Sequence, residues 1–136
     1  MLSPTADTIR LFLHVLAAAV WVGGQIALGA IVPRLRATFP DSTKVVAQAF
    51  GRVAFPAFGV VVVTGLWGLF EIDVTNTSTS YQITLFLKIT LAIASGAAAV
   101  VHSVGTTKLA LALGGALGLL FSLGAMFCGY LLTSGV

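Results

Sequence analysis

The sequence predicts an all-α integral membrane protein in which four transmembrane helices form an up-down-up-down bundle. Of its 136 residues, 58% are hydrophobic and only 8% are charged, whereas a soluble domain carries about 25% charged residues. Four long apolar segments follow one another, each near the length of about 20 residues that crosses a bilayer. Because backbone groups in lipid must be hydrogen-bonded internally, these segments are expected to be helices. The lipid bilayer is therefore the predicted partner, and a soluble enzyme or a nucleic-acid-binding domain is excluded.

The first helix is expected between Arg10 and Arg34, at about residues 9–32. Its apolar run is longer than the 7–15 residues of a signal-peptide core, and it contains His14 and Gln25, so we interpret it as a retained helix.

The second helix is expected at residues 53–70, between Arg52 and Glu71. Pro56 would then lie in its first turn, where a missing N–H costs least. Several apolar residues between 41 and 51 share one side at helical spacing, which predicts a separate short helix at the membrane interface.

The third and fourth helices are expected at residues 81–104 and 109–132, within a single membrane domain covering 1–136. Lys88 is the only charge in the third, and the fourth has none. The fourth has a face of small residues spaced four apart, which predicts close packing against another helix. Met126 is expected to continue this face and Cys128 to point away from it. The small residues of this face are Gly114, Gly118 and Ser122.

Basic residues predict the orientation of the helices, because Lys and Arg favour the cytoplasmic side. Arg10 lies on the opposite side together with most of the acidic residues. Both termini are therefore expected on the extracytoplasmic side. The basic residues of the first and third connections are Arg34, Arg36, Lys44, Arg52 and Lys108.

Three ionisable residues lie inside the predicted spans, where such residues are costly and usually functional or paired. His14 and Lys88 lie about four and seven residues inside two helices that run in the same direction, so similar depths are expected. His102 follows about 21 Å further along the third helix and is expected to be an interface residue. His14 is either a neutral imidazole bonded to a neighbouring helix or an axial haem ligand or copper ligand.

Each of these residues belongs to a stripe that combines polar and small side chains at helical spacing. Such stripes face other helices rather than lipid, and their small residues allow either close helix contact or a flat ligand. The first stripe consists of His14, Ala18, Trp21 and Gln25, and the second of Lys88, Ala92, Ser95, Ala99 and His102.

Three pieces of the sequence form a recognisable pattern: Leu13-His14 with Trp21-Val22-Gly23-Gly24, the segment from Phe50 to Thr64-Gly65, and Tyr81 with Leu85-Phe86-Leu87-Lys88. Through them, roughly residues 10–104 resemble CopD-like membrane proteins, the copper resistance D family. His14, Trp21, Pro33-Arg34-Leu35 and Lys88 also give a more distant likeness to HemJ-type protoporphyrinogen oxidases.

These resemblances imply a protein of the bacterial inner (plasma) membrane that is associated with copper or haem. The donors form no ladder across the membrane, which argues against a stand-alone copper channel. We therefore expect haem b first, bound by His14 and Lys88 with Trp21, Gln25 and Ser95 around it. Lys88 either ligates the iron as a neutral amine, pairs as a charged amine with a haem propionate, or extends its long side chain to the membrane interface. Copper bound by His14, Lys88 and Met126 is the alternative. A non-catalytic accessory subunit, in a homo-oligomer or a larger membrane complex, is the second alternative, and whether the chain is an enzyme stays open.

Overall fold

The computed structural model describes residues 1–134 and is all-α, as predicted. Each of its four long helices is long and apolar enough to cross a membrane, and the chain is a multi-pass membrane protein. A single 3₁₀ turn at Val74–Asn76 lies in the middle connection. The helices are α1 (Ala6–Thr38), α2 (Ser42–Phe70), α3 (Thr79–Val104) and α4 (Lys108–Ser134).

The first compact unit, Met1–Ile72, is an antiparallel hairpin of α1 and α2. Contacts between its helices pair rising residue numbers in α1 with falling numbers in α2, as in His14 with Thr64 and Trp21 with Phe58. The connection is short, because α1 ends at Thr38 and α2 begins at Ser42. The face of α1 that was predicted to turn away from lipid is the face that packs on α2.

The helix α2 differs from the prediction at its beginning. It starts at Ser42 rather than at residue 53, so residues 42–51 belong to the same helix as the span. The prediction of a separate interfacial helix is therefore wrong. Pro56 consequently lies inside the helix instead of in its first turn. Proline removes only one N–H, and helices that cross membranes tolerate this loss because neighbouring groups satisfy the carbonyl that is released.

The hairpin of α1 and α2 is longer than the hydrocarbon core of a bilayer. Its helices contain 33 and 29 residues, which correspond to about 50 Å and 44 Å at 1.5 Å per residue. A hydrocarbon core is about 30 Å thick, so neither helix fits within it at ordinary tilts of about 20°. The excess length carries Arg36 and Lys44, which flank the connection, into water.

The second compact unit begins at Asp73 and contains the antiparallel hairpin of α3 and α4. The small-residue face of α4 packs on α3 as predicted, with Gly114, Gly118 and Ser122 buried. A Cβ at Gly114 would lie 2.8 Å from the His102 backbone N and 3.0 Å from the Ala98 carbonyl O. The absence of a side chain at Gly114 therefore allows the two backbones to approach each other closely.

The expected orientation of Met126 and Cys128 is wrong. Cys128 is buried, with 5% of its surface exposed, whereas Met126 is 42% exposed. The reason is helical drift: at about 100° per residue, Met126 lies about 120° from Gly114, while Cys128 lies about 40° from it. Residues spaced four apart therefore rotate out of the face that packs on α3 after about two turns, and Cys128 lies in that face again.

Candidate functional site

His14 lies on the face of α1 that packs against α2, and it is half-buried. Its Nδ1 is 2.8 Å from the hydroxyl oxygen of Thr64, which is 4% exposed. A Cβ at the next residue, Gly65, would lie 3.4 Å from the imidazole Cε1. The imidazole thus lies over the Thr64-Gly65 step of α2, at ordinary contact distance from the position where a side chain at residue 65 would begin.

The hydrogen bonds of Thr64 determine which nitrogen of His14 carries the proton. The Thr64 hydroxyl has one hydrogen, and it donates this hydrogen to the Val60 carbonyl O at 2.6 Å. The hydroxyl therefore accepts from His14, so that Nδ1 is protonated and Nε2 carries the lone pair of the neutral ring. Histidines that bind metals have this arrangement, in which one nitrogen donates to a protein oxygen and the other binds the metal.

Trp21 and Gln25 continue the same face of α1 toward the other end of the helix. Trp21 is 5% exposed, and its ring lies 4.6 Å from the Phe58 ring and 5.9 Å from the Phe55 ring, centroid to centroid. Gln25 donates from Nε2 to the Trp21 carbonyl O at 3.0 Å. Aromatic packing of this kind fixes the spacing of α1 and α2 beyond His14.

Arg10 completes the face on the other side of His14, and sequence reasoning assigned it only to a helix boundary. Its Nε and one Nη donate to the same carboxylate oxygen of Asp7 at 3.0 Å and 2.6 Å. The other Nη lies over α2, where a Cβ at Gly68 would stand 2.6 Å from it. The signal that could have identified Arg10 is its spacing of four residues from His14, which places both on one face.

The predicted residues of the second hairpin contact α4. The hydroxyl of Ser95 is buried and donates to the Gly118 carbonyl O at 3.2 Å. Lys88 lies along α4, because a Cβ at Gly129 would be 3.3 Å from its Nζ and 3.4 Å from its Cε. At the levels of Ser95 and Lys88, the small residues therefore allow close contact between α3 and α4, which is the first of the two predicted alternatives, rather than room for a flat ligand.

His102 lies at the opposite end of α3 from Lys88 and is exposed. Its Nδ1 is 2.6 Å from the Leu111 carbonyl O, and since a carbonyl only accepts, Nδ1 is the donor. The ring packs over Gly115, where a Cβ would be 3.2 Å from it. His102 therefore joins α3 to α4 and provides a comparison for His14.

Within residues 1–134, no three His, Cys, Asp or Glu side chains gather into a set able to hold a metal ion. His14 belongs to the first hairpin and Lys88 to the second, so their predicted meeting stays a prediction. The exposure of Met126 gives no support to its predicted role as a metal ligand.

No protein-family model, curated protein or solved structure matches the chain. The resemblance to CopD-like and HemJ-type proteins therefore stays a prediction.

Proposed function

We propose that this chain is a small haem-binding protein of the bacterial inner membrane, with both termini on the extracytoplasmic side and His14 as an axial ligand of haem b. When bound, the haem would supply one-electron redox chemistry. The contribution of the chain is an oriented imidazole in a helical hairpin within the membrane.

The observation that carries the proposal is the hydrogen-bonded sequence from His14 through Thr64 to the Val60 carbonyl. It holds the proton on Nδ1, and so gives Nε2 the lone pair that an iron ligand needs. It also turns the ring toward α2, because the Thr64 hydroxyl that Nδ1 contacts is buried in the α1–α2 interface. A ligand oriented before binding loses less conformational freedom when the cofactor enters.

A histidine that only packs between helices needs less from its surroundings than a histidine that binds a cofactor. Such a histidine needs no more than one satisfied hydrogen bond, such as the exposed His102 makes to the Leu111 carbonyl. The two histidines share the same protonated nitrogen, but His14 is half-buried and His102 is exposed. They therefore form a matched pair for experiment.

The test is the visible absorption spectrum of the full-length protein, purified in detergent after expression with haem supplied. The proposal expects a Soret band in the wild type that disappears in His14→Ala and persists in His102→Ala. A wild type without the band, or a band that survives His14→Ala, would overturn the proposal. The Lys88→Met variant, in the same series, tests the predicted participation of Lys88.

The same preparations separate the two alternatives. Stoichiometric binding of Cu(I), lost in His14→Ala and without any haem band, would support the copper function that the CopD-like resemblance implies. Co-purifying subunits with neither haem nor copper would support an accessory role in a larger membrane complex. Each of these outcomes contradicts haem binding.

A further inference from the structure

We propose that Arg10 is a carboxylate-binding residue that holds a propionate group of the haem. This inference rests on the proposed function. It gives the end of the hairpin that contains the start of α1 a role in recognising the acidic edge of the haem.

Arg10 and His14 lie on one face of α1, one helical turn apart. Four residues correspond to about 6 Å along the axis and about 40° around it. The residues beneath them on α2, Gly68 and Thr64, have the same spacing, so the two pairs form successive levels of one helix–helix interface. Arg10 occupies the level nearer the start of α1, where the hairpin reaches the membrane surface.

The guanidinium of Arg10 is turned along the protein rather than outward into water. Its side chain is 17% exposed, whereas that of its partner Asp7 is 68% exposed. Nε and one Nη are directed to Asp7, and the other Nη lies against Gly68, which has no side chain to displace it. Glu71, the acidic residue at the end of α2, accepts instead from the Trp67 indole N–H at 3.2 Å. Arg10 therefore has one exposed acidic partner, and its other Nη packs over Gly68 of α2, one helical turn from the level of His14 and Thr64.

The chemistry of this arrangement favours a carboxylate ligand. A guanidinium presents several N–H groups in a plane that matches the two oxygens of a carboxylate. Haem b has two carboxylates on one edge of an otherwise apolar ring, which must reach the polar end of a membrane site. An exposed ion pair such as that of Arg10 with Asp7 is weak, so it orients the guanidinium without preventing a second carboxylate from binding.

The experiment measures the rate at which the haem-loaded, full-length protein releases haem to an excess of apomyoglobin. Arg10→Gln is expected to release haem about tenfold faster than the wild type, with an unchanged Soret maximum because His14 still binds the iron. Arg36→Gln, at the other end of α1, is the matched control and is expected to release haem at the wild-type rate.

A second measurement uses haem dimethyl ester, in which both carboxylates are masked. The wild type is expected to release the ester faster than haem, and Arg10→Gln is expected to release the ester at the wild-type rate. This comparison within the wild type stands even if the variant fails to fold. Equal release of haem by wild type and Arg10→Gln, or equal release of haem and ester by the wild type, would overturn the inference while leaving haem binding intact. Absence of a Soret band in the wild type would overturn the proposed function and this inference with it.

Discussion

Gly114→Ala tests the close contact of α3 and α4, and its effect can be estimated from the structure. The new Cβ would lie 2.8 Å from the His102 backbone N, whereas ordinary contact begins at 3.4 Å. The backbones must therefore separate locally by about 0.6 Å, the difference between these distances. A shift of that size would stretch the buried Ser95 to Gly118 hydrogen bond, now 3.2 Å, beyond bonding distance.

The free-energy estimate combines two opposing effects. Alanine in place of glycine stabilises a helix by about 1 kcal/mol, and overpacking a tight contact costs about 1–3 kcal/mol. Gly114→Ala is thus expected to lower the free energy of unfolding by about 0–2 kcal/mol. Gly29→Ala is the control, because a Cβ there meets no atom within 4 Å, and it is expected to gain up to about 1 kcal/mol.

The assay is unfolding of the detergent-solubilised protein by sodium dodecyl sulfate, followed by circular dichroism. The two variants should differ by about 1–3 kcal/mol, with Gly29→Ala the more stable. Gly115→Ala should lie between them, because the nearest atoms to its Cβ belong to the His102 side chain, at 3.2 Å, rather than to backbone as at Gly114. Equal stability of Gly114→Ala and Gly29→Ala would refute the close backbone contact.

Two further predictions concern the orientation of His14 and of the chain. Thr64→Val keeps the side-chain volume but removes the oxygen that fixes the imidazole, so haem affinity is expected to fall about 10- to 100-fold. Thr64→Ser keeps the hydroxyl and should keep the affinity. Equal haem affinities of the two variants, measured by haem titration, would contradict the role of the hydroxyl. In a Cys128→Ser background, cysteines introduced by Ser3→Cys and Thr77→Cys should react with a membrane-impermeant maleimide in spheroplasts, whereas Thr107→Cys should react only after lysis; the reverse pattern would refute the predicted orientation.

The helices were largely predictable because their signal is local. Length and apolarity identified four spans, and the observed ends of α3 at Thr79 and Val104 lie close to those expected. The start of α2 was not predictable in this way. Arg52 and Pro56 indicate a boundary, yet charge limits only the part of a helix that lies in lipid, and the 29 residues of α2 exceed the length that a bilayer core requires.

The sequence predicted which helix faces carry the site residues, but not which residues of the neighbouring helix they contact. Helical spacing correctly turned His14 and Trp21 toward a neighbouring helix, as their contacts with Thr64 and Phe58 confirm. Thr64 itself is 50 residues away in the chain, so no local pattern could pair it with His14. Arg10 was overlooked because a charge at the end of a span has an ordinary explanation in membrane topology.

Rescue of His14→Gly by imidazole distinguishes an iron ligand from a residue that only packs. This variant, purified in detergent with haem supplied, is expected to lack the Soret band of the wild type and to regain it when imidazole is added, because the free base replaces the missing ligand. His102→Gly should retain the band without imidazole. A His14→Gly variant that binds haem as the wild type does, or a wild type that binds none, would show that His14 is not a haem ligand.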